Sequence, residues 1–291
     1  PQRLFAPITM LSYRHAFHAG NHADILKHHV LFEVLRYFNR KNKPYWYIDT
    51  HAGAGLYDLS GEQAQKVGEY RHGIARLQAA AELPDALLAF RQHLAQLVPD
   101  AQQHYAGSPW LAQSLLRDSD RLRLYELHPA DSALLQQNMQ QARQPRHSQI
   151  FRDDGFKGLL AMLPPPTRRA VVLTDPAYEQ KQDYRQVADT LKAALNKFAQ
   201  GCYLVWYPCL SRPESQMLPE SLRRLAPSNY LQAELHVHHP RSDGFGMHGS
   251  GMFIINPPYT LADTLAQTLP ALTACLQQDD GAHFVLQQHS A

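Results

Sequence analysis

Four consecutive residues, Asp175-Pro176-Ala177-Tyr178, bring a carboxylate, a proline-stiffened turn and an aromatic ring together directly after the apolar run Ala170–Thr174. That run is short, rich in valine and bounded by Pro164 to Pro166 upstream and Pro176 downstream, so it reads as a buried parallel strand. Ligands of an open α/β sheet bind beyond the carboxyl ends of its strands, which is where this tetrapeptide would sit. Its three groups suit a flat base carrying an amino group. The acid and a backbone carbonyl accept hydrogen bonds from the amine, and the ring stacks on the base.

Two other strand ends carry acids and a third carries a glycine loop. Residues 45–50 read as a strand that ends at Asp49 and runs into His51-Ala52-Gly53-Ala54-Gly55. Taken alone, that loop fits a ligand cradle and tight strand-to-helix packing equally well, because it is neither the three-glycine dinucleotide fingerprint nor a P-loop. Glu126 ends a second strand over 122–127, where a carboxylate can accept both hydroxyls of a ribose. Asp154 follows the strand 148–152, placed with Gly155 to face an adenine edge. Capping of the local loop is the structural alternative for each acid. A second tetrapeptide, Asn256-Pro257-Pro258-Tyr259, is set aside. If 252–256 is a final antiparallel strand, its carboxyl end points to the opposite edge of the sheet, and the prolines simply stop it.

The order of glycine loop, ribose acid, adenine acid and Asp-Pro-x-Tyr resembles that of S-adenosylmethionine-dependent methyltransferases acting on exocyclic amines. Their usual tetrapeptide has a second proline where this chain has Ala177. Alanine keeps the carbonyl and loses only the ring's restriction of φ, so the turn is expected with less preorganisation. The stretch from Met10 to His28, MLSYRHAFHAGNHADILKH, looks like the start of bacterial 23S ribosomal RNA adenine-N6 methyltransferases of the RlmJ type. The likeness continues through Asp49 to Gly55, Gly107-Ser108-Pro109, Glu126 to Pro129, Asp154 to Phe156, Trp206 to Pro208 and Gly249-Ser250-Gly251-Met252.

That resemblance implies a class I methyltransferase fold, a Rossmann-like seven-stranded, mostly parallel α/β sheet with a small helical insertion. It implies transfer of a methyl group from S-adenosylmethionine to N6 of a single adenine in 23S rRNA, on naked RNA in preference to assembled ribosome, by a cytoplasmic monomer. Carried over by matching motifs, Lys27, His28, His51, Gly53, Ser108, Glu126, Asp154 and Gly155 would line the cofactor site. Asp175, Pro176 and Tyr178 would be catalytic, and Tyr13 would contact the RNA. Lys27 is then the natural counter-ion of the cofactor carboxylate. The other readings are DNA adenine methylation, which shares the tetrapeptide chemistry, and a catalytically silent RNA-binding relative, flagged by Ala177.

Composition fits this picture. A chain of 291 residues with 44% hydrophobic content can bury a full core. No apolar run approaches the roughly 20 residues needed to cross a bilayer, so no membrane partner is expected. A net charge of +2 permits nucleic acid without demanding it. Cys202, Cys209 and Cys275 are an odd number without metal-type pairing, as expected for reduced core thiols. Histidines 15, 18, 22, 28 and 29 invite a metal reading, with His18 and His22 at i, i+4. No partner cysteines follow and Gly20 interrupts, so no metal is expected. Residues 57–105 show helical spacing over 74–81 and 87–97 and no convincing strand, which marks them as the insertion. The methyltransferase domain is accordingly read as 10–56 plus 106–291, with 1–9 a non-native or upstream extension.

Overall fold

The computed structural model of the chain describes residues 14–98, 100–141, 147–226 and 228–290. Tyr13, the expected RNA contact, lies outside them, as do residues 1–9. After a 3-10 turn at His15–Phe17 come α1 (His22–Asn39), β1 (Trp46–Asp49), β2 (Leu56–Asp58), α2 (Glu62–Val67), α3 (Ile74–Ala79), α4 (Asp85–Leu97) and β3 (His104–Ala106). There follow α5 (Ser108–Leu115), β4 (Arg121–Tyr125), α6 (Pro129–Gln140), β5 (Ser148–Phe151), α7 (Gly155–Met162), β6 (Ala170–Thr174), α8 (Lys181–Lys197) and β7 (Cys202–Cys209). The chain finishes with α9 (Pro213–Leu225), β8 (Asn229–His236), β9 (Gly249–Ile255), α10 (Leu261–Leu276) and β10 (His283–Ser290).

The main sheet has eight strands in the order β10-β8-β9-β7-β6-β1-β4-β5. Strands β5, β4, β1, β6 and β7 are parallel, whereas β9 runs antiparallel between β7 and β8. This is the class I methyltransferase arrangement expected from sequence, with one correction. The seven strands anticipated are all present, and β10 adds an eighth, antiparallel to β8. It escapes sequence reading because its Gln287-Gln288-His289-Ser290 half is polar and exposed, as an edge strand permits. The order reverses between β1 and β6, so their carboxyl ends open the crevice at which such sheets bind ligands.

Helices cover both faces. On one, α1, α5 and α10 pack against Leu122, Leu124, Val171, Leu204 and Ile254 of the sheet. On the other, α7, α8 and α9 bury Ile48, Val172, Tyr203, Val205 and Phe253. Every residue of β6 is buried, which explains its unbroken apolar composition. In α1, Ile25, Leu26, Val30, Leu31, Val34 and Leu35 are fully buried, each contributing about 1.5–3 kcal/mol. The helix starts where Asn21 accepts from the Asp24 amide, one residue after Gly20 turns the chain at φ +75°. His18 and His22 therefore do not share a helical face.

Residues 57–105 are helical as expected, but their ends pair as β2 and β3 in a small antiparallel sheet of their own. Three residues a side are too few to show a period in sequence. Leu77, Leu87, Phe90 and Leu94 from this segment join the cluster around α1 and α10.

The start of β1 is fixed by a buried acid. Asp120 has no exposed surface and accepts from the amides of Tyr45 and Arg117 and from the Arg117 guanidinium at 2.8–3.0 Å. Asp120→Ala would strand those donors and is expected to cost about 3–5 kcal/mol. Asp120→Asn should cost clearly less, and urea denaturation of the two variants checks both values.

Candidate active site

The carboxyl ends of β1, β4, β5 and β6 surround a cavity of about 350 Å³. Lys27, His28, His51, Gly53, Ser108, Glu126, Asp154, Gly155, Asp175 and Pro176 all line it. These ten come from separate stretches of sequence, and the fold brings them to one place.

At its centre lies an ion pair that sequence reading did not foresee. The Lys27 ammonium is 2.5 Å from Asp175 Oδ2 and 2.8 Å from Asp24 Oδ1, the latter contact lacking hydrogen-bond alignment. Asp24 is fully buried, and its other oxygen accepts from the Gly20 amide and meets His15 Nε2 at 2.8 Å. Burial works against the Lys27 charge, but Asp175 and Asp24 outweigh it and hold its pKa above the usual lysine value. Asp24 behaves in the mirror sense: burial opposes ionisation, and His15 and Lys27 together hold it well below the carboxylate range. Lys27 is thus neither a solvated helix lysine nor a group without a counter-charge. Its contacts are two protein carboxylates, and the i, i+3 spacing of Asp24 and Lys27 on α1 was the signal for one of them.

The acids at the strand ends have structural and exposed sides at once. Glu126 accepts from the amides of Gly53 and His128 at 2.8 and 2.7 Å, and burial lifts its pKa to about 7 against those two bonds. Asp154 caps α7 by accepting from the amides of Phe156 and Lys157. The capping alternative therefore holds for both acids, and both also face the cavity. Asp49 lies beneath the floor, fully buried, accepting from the Tyr47 and Ser108 hydroxyls at 2.7 Å; burial raises its pKa to about 6, resisted by those bonds. His28 and His51 are lowered by burial to about 3 and about 4, so both are neutral at pH 7. His28 Nδ1 pairs with the Tyr105 hydroxyl at 2.6 Å, and His51 stands edge-on to Phe156.

Two glycines shape the cradle. A Cβ on Gly155 would stand 1.9 Å from the Thr50 carbonyl, and one on Gly53, already at φ +61°, would meet the Tyr57 hydroxyl at 2.2 Å. Only glycine at these positions lets the start of α7 pack against Thr50 and the β1 loop pack against Tyr57.

Tyr178 is not where a stacking ring is needed. Its backbone turns through φ +52°, a strained value for a bulky residue, and carries the ring beneath the turn. The ring is 1% exposed, 4.6 Å from Tyr184, with its hydroxyl donating to the Trp206 carbonyl at 2.7 Å. It does not line the cavity, which corrects the expectation that it meets the base. Pro176 and the exposed Ala177 present the turn's outer surface instead. Beyond them the wall is made by Gln180, Gln182, Asp183 and Gln186 at the start of α8, polar residues that no spacing in the sequence distinguished.

Asn256 lies as anticipated at the far edge of the sheet, donating to the carbonyls of Ala199 and Gly201 before β7 begins. Several arginines lie away from the cavity and are engaged within the protein. Arg169 donates to the Phe38 and Lys43 carbonyls near the start of β1, Arg36 pairs with Glu33, and Arg223 and Arg224 pair with Glu220. Arg14 stands close, bonded to Asp131 of the cavity wall. No described helix is long and apolar enough to cross a membrane.

Comparison with known proteins identifies relatives of the chain. A family model described as ribosomal RNA large subunit methyltransferase D, RlmJ, matches residues 42–287. Ribosomal RNA large subunit methyltransferase J of Escherichia coli is 43% identical over 90% of this chain and 93% of its own length. The protein of the same name from Haemophilus influenzae is 41% identical over 92% and 94%. A solved structure, protein LPL1258 of Legionella pneumophila, superposes with a TM-score of 0.86 at 33% identity, covering 94% of this chain and 99% of that one. On the family model and the two methyltransferase J relatives, the chain belongs to the RlmJ family of ribosomal RNA large subunit methyltransferases.

Proposed function

We propose that this family member transfers a methyl group from S-adenosylmethionine to the exocyclic N6 of a single adenine in 23S rRNA, acting as a cytoplasmic monomer on naked RNA. The observation that carries the reading is Asp175, held by Lys27 at the carboxyl end of β6 and facing a cavity walled by Glu126, Asp154 and Gly155. The cofactor supplies an electrophilic methyl group on a sulfonium. Glu126 suits its ribose hydroxyls, the Gly53 and Gly155 surfaces admit it closely, and Asp154 with Phe156 suits its adenine. In this reading residues 57–105 form a helical subdomain whose first residue, Tyr57, walls the same cavity, as does Gly107 just after the segment.

The residues of the chain then act on the target amine. Its lone pair is delocalised into the base, so it must be held in nucleophilic geometry. Hydrogen bonds from the amine to the Asp175 carboxylate and the Pro176 carbonyl do this and stabilise positive charge as it develops on nitrogen. The methylated ammonium is acidic enough to lose its proton without a strong base. Lys27 fixes the Asp175 rotamer and compensates its charge until the amine arrives. With Tyr178 turned inward, the base rests against Pro176 and Ala177. An adenine in an RNA loop or end reaches this pocket at lower cost than one in a duplex.

Incubation of the protein with labelled cofactor and protein-free 23S rRNA, followed by nuclease digestion and mass spectrometry, should give N6-methyladenosine at one position. Asp175→Ala should lower the rate about 10²- to 10³-fold while the purified variant still binds cofactor. Label on another atom, or equal transfer to duplex DNA, would sink the assignment.

Cofactor affinity should depend on pH through Glu126. Its carboxyl takes up a proton as pH falls through about 7, removing the charge that attracts ribose hydroxyls. Calorimetry is expected to show binding weakening from pH 8 to pH 6, with the slope abolished in Glu126→Gln.

A further inference from the structure

The Gly249-Ser250-Gly251-Met252 motif takes no part in the cavity, yet it builds a second cluster. Strand β9 lies between β7 and β8, and its two glycines stand in register with facing residues on both sides. Gly249 pairs with Cys209 on one flank and His236 on the other; Gly251 pairs with Tyr207 and Glu234. Where the central strand has no side chains, those of its neighbours reach across it. A Cβ on Gly251 would fall 2.2 Å from the Tyr207 ring, and one on Gly249 would stand 2.6 Å from the Leu235 carbonyl. The notch therefore requires glycine at both positions.

Across this notch the Cys209 sulfur, a Glu234 carboxylate oxygen and a His236 ring nitrogen all lie within 4.8 Å of one another. Cys209 is 8% exposed and His236 9%. The geometry points to a site for one divalent cation of borderline softness, zinc in type, held by Cys209, Glu234 and His236. Thiolate, imidazole and carboxylate are the donors such an ion takes, whereas a hard cation would require oxygen alone. The supporting shell is already in place. Glu234 accepts from the Tyr207 hydroxyl and from Gln232 at 2.8 Å, and the His236 ring is stacked on His283 at 4.3 Å and 3°. His248, beside Cys209 at the head of β9, has a buried Nδ1 without a hydrogen-bond partner, its ring 5.4 Å from that of His236. It stands as a fourth donor or as the orienter of a bound water.

Binding exchanges protons for metal. The Cys209 thiol releases its proton to solvent, its sulfur bonds the ion, and the 2.9 Å contact between His236 Nε2 and Glu234 gives way to two metal bonds. Tetrahedral zinc places S and N donors roughly 3.5 Å apart, so the side chains must draw in by about an ångström, within rotamer adjustment. Sequence reading expected no metal because these donors are spread over three strands with no recognisable spacing.

The full chain, stripped with chelator under reducing conditions, should take up one equivalent of Co²⁺ with a near-ultraviolet thiolate-to-cobalt absorption band. Cys209→Ser should lose the band, and His236→Ala should bind about tenfold more weakly or worse with an unchanged circular dichroism spectrum. Cys202→Ser and Cys275→Ser should keep both band and affinity. Absence of a saturable thiolate band in the parent chain, its survival in Cys209→Ser, or full affinity in a folded His236→Ala would overturn the proposal.

Discussion

The bridge from Asp24 through Lys27 to Asp175 ties the central helix α1 to the central strand β6, and the placement of the site depends on it. An isolated buried charge is expensive, and one left behind when its partner is removed costs about 3–5 kcal/mol. Lys27 and Asp24 are almost wholly withdrawn from water, so neither can be parted from the other cheaply. Any slide of α1 along the sheet would separate them from Asp175. The helix register that this fixes also sets His28 against Tyr105 and carries His15 to the rim. The Asp175 carboxylate is in this way held by buried groups of α1.

The same contact gives the acid its character. A carboxylate that must accept a neutral amine works best ionised, oriented and not attracted elsewhere. Lys27 orients it through the Asp175 Oδ2 contact, and Asp24 takes up part of the lysine's charge, which limits the third difficulty. Around this charged centre burial drives four groups toward neutrality. His28 and His51 stay uncharged, and Glu126 and Asp49 hold protons to higher pH than usual.

Much of this was legible in the sequence because the central strands β1 and β6 are largely buried on both faces. Runs such as Ala170–Thr174 leave no alternative period, and each ends on a polar residue that marks the carboxyl edge. The helices α9 and α10 were not legible, since Pro219 and Pro270 inside them read as breakers. Helix α7 opens on Gly155 and contains Gly158, which reads as a turn until Asp154 is seen capping it. The site residues came together as motif order suggested, but two features were beyond any pattern. Partners 148 residues apart, Lys27 and Asp175, meet only through tertiary packing. The inward turn of Tyr178 depends on a backbone angle that its residue type disfavours.

The pairing of β2 with β3 carries a consequence for how such a chain can change over generations. Because the polypeptide leaves the main body and returns to it side by side, the stretch between behaves as a closed loop whose entropy grows only slowly with length. Residues can be gained or lost in its exposed turns at little cost, whereas Leu77, Leu87, Phe90 and Leu94 tie its helices to the core around α1 and α10. The outer surface of that stretch is therefore free to diversify while the cavity floor stays unaltered.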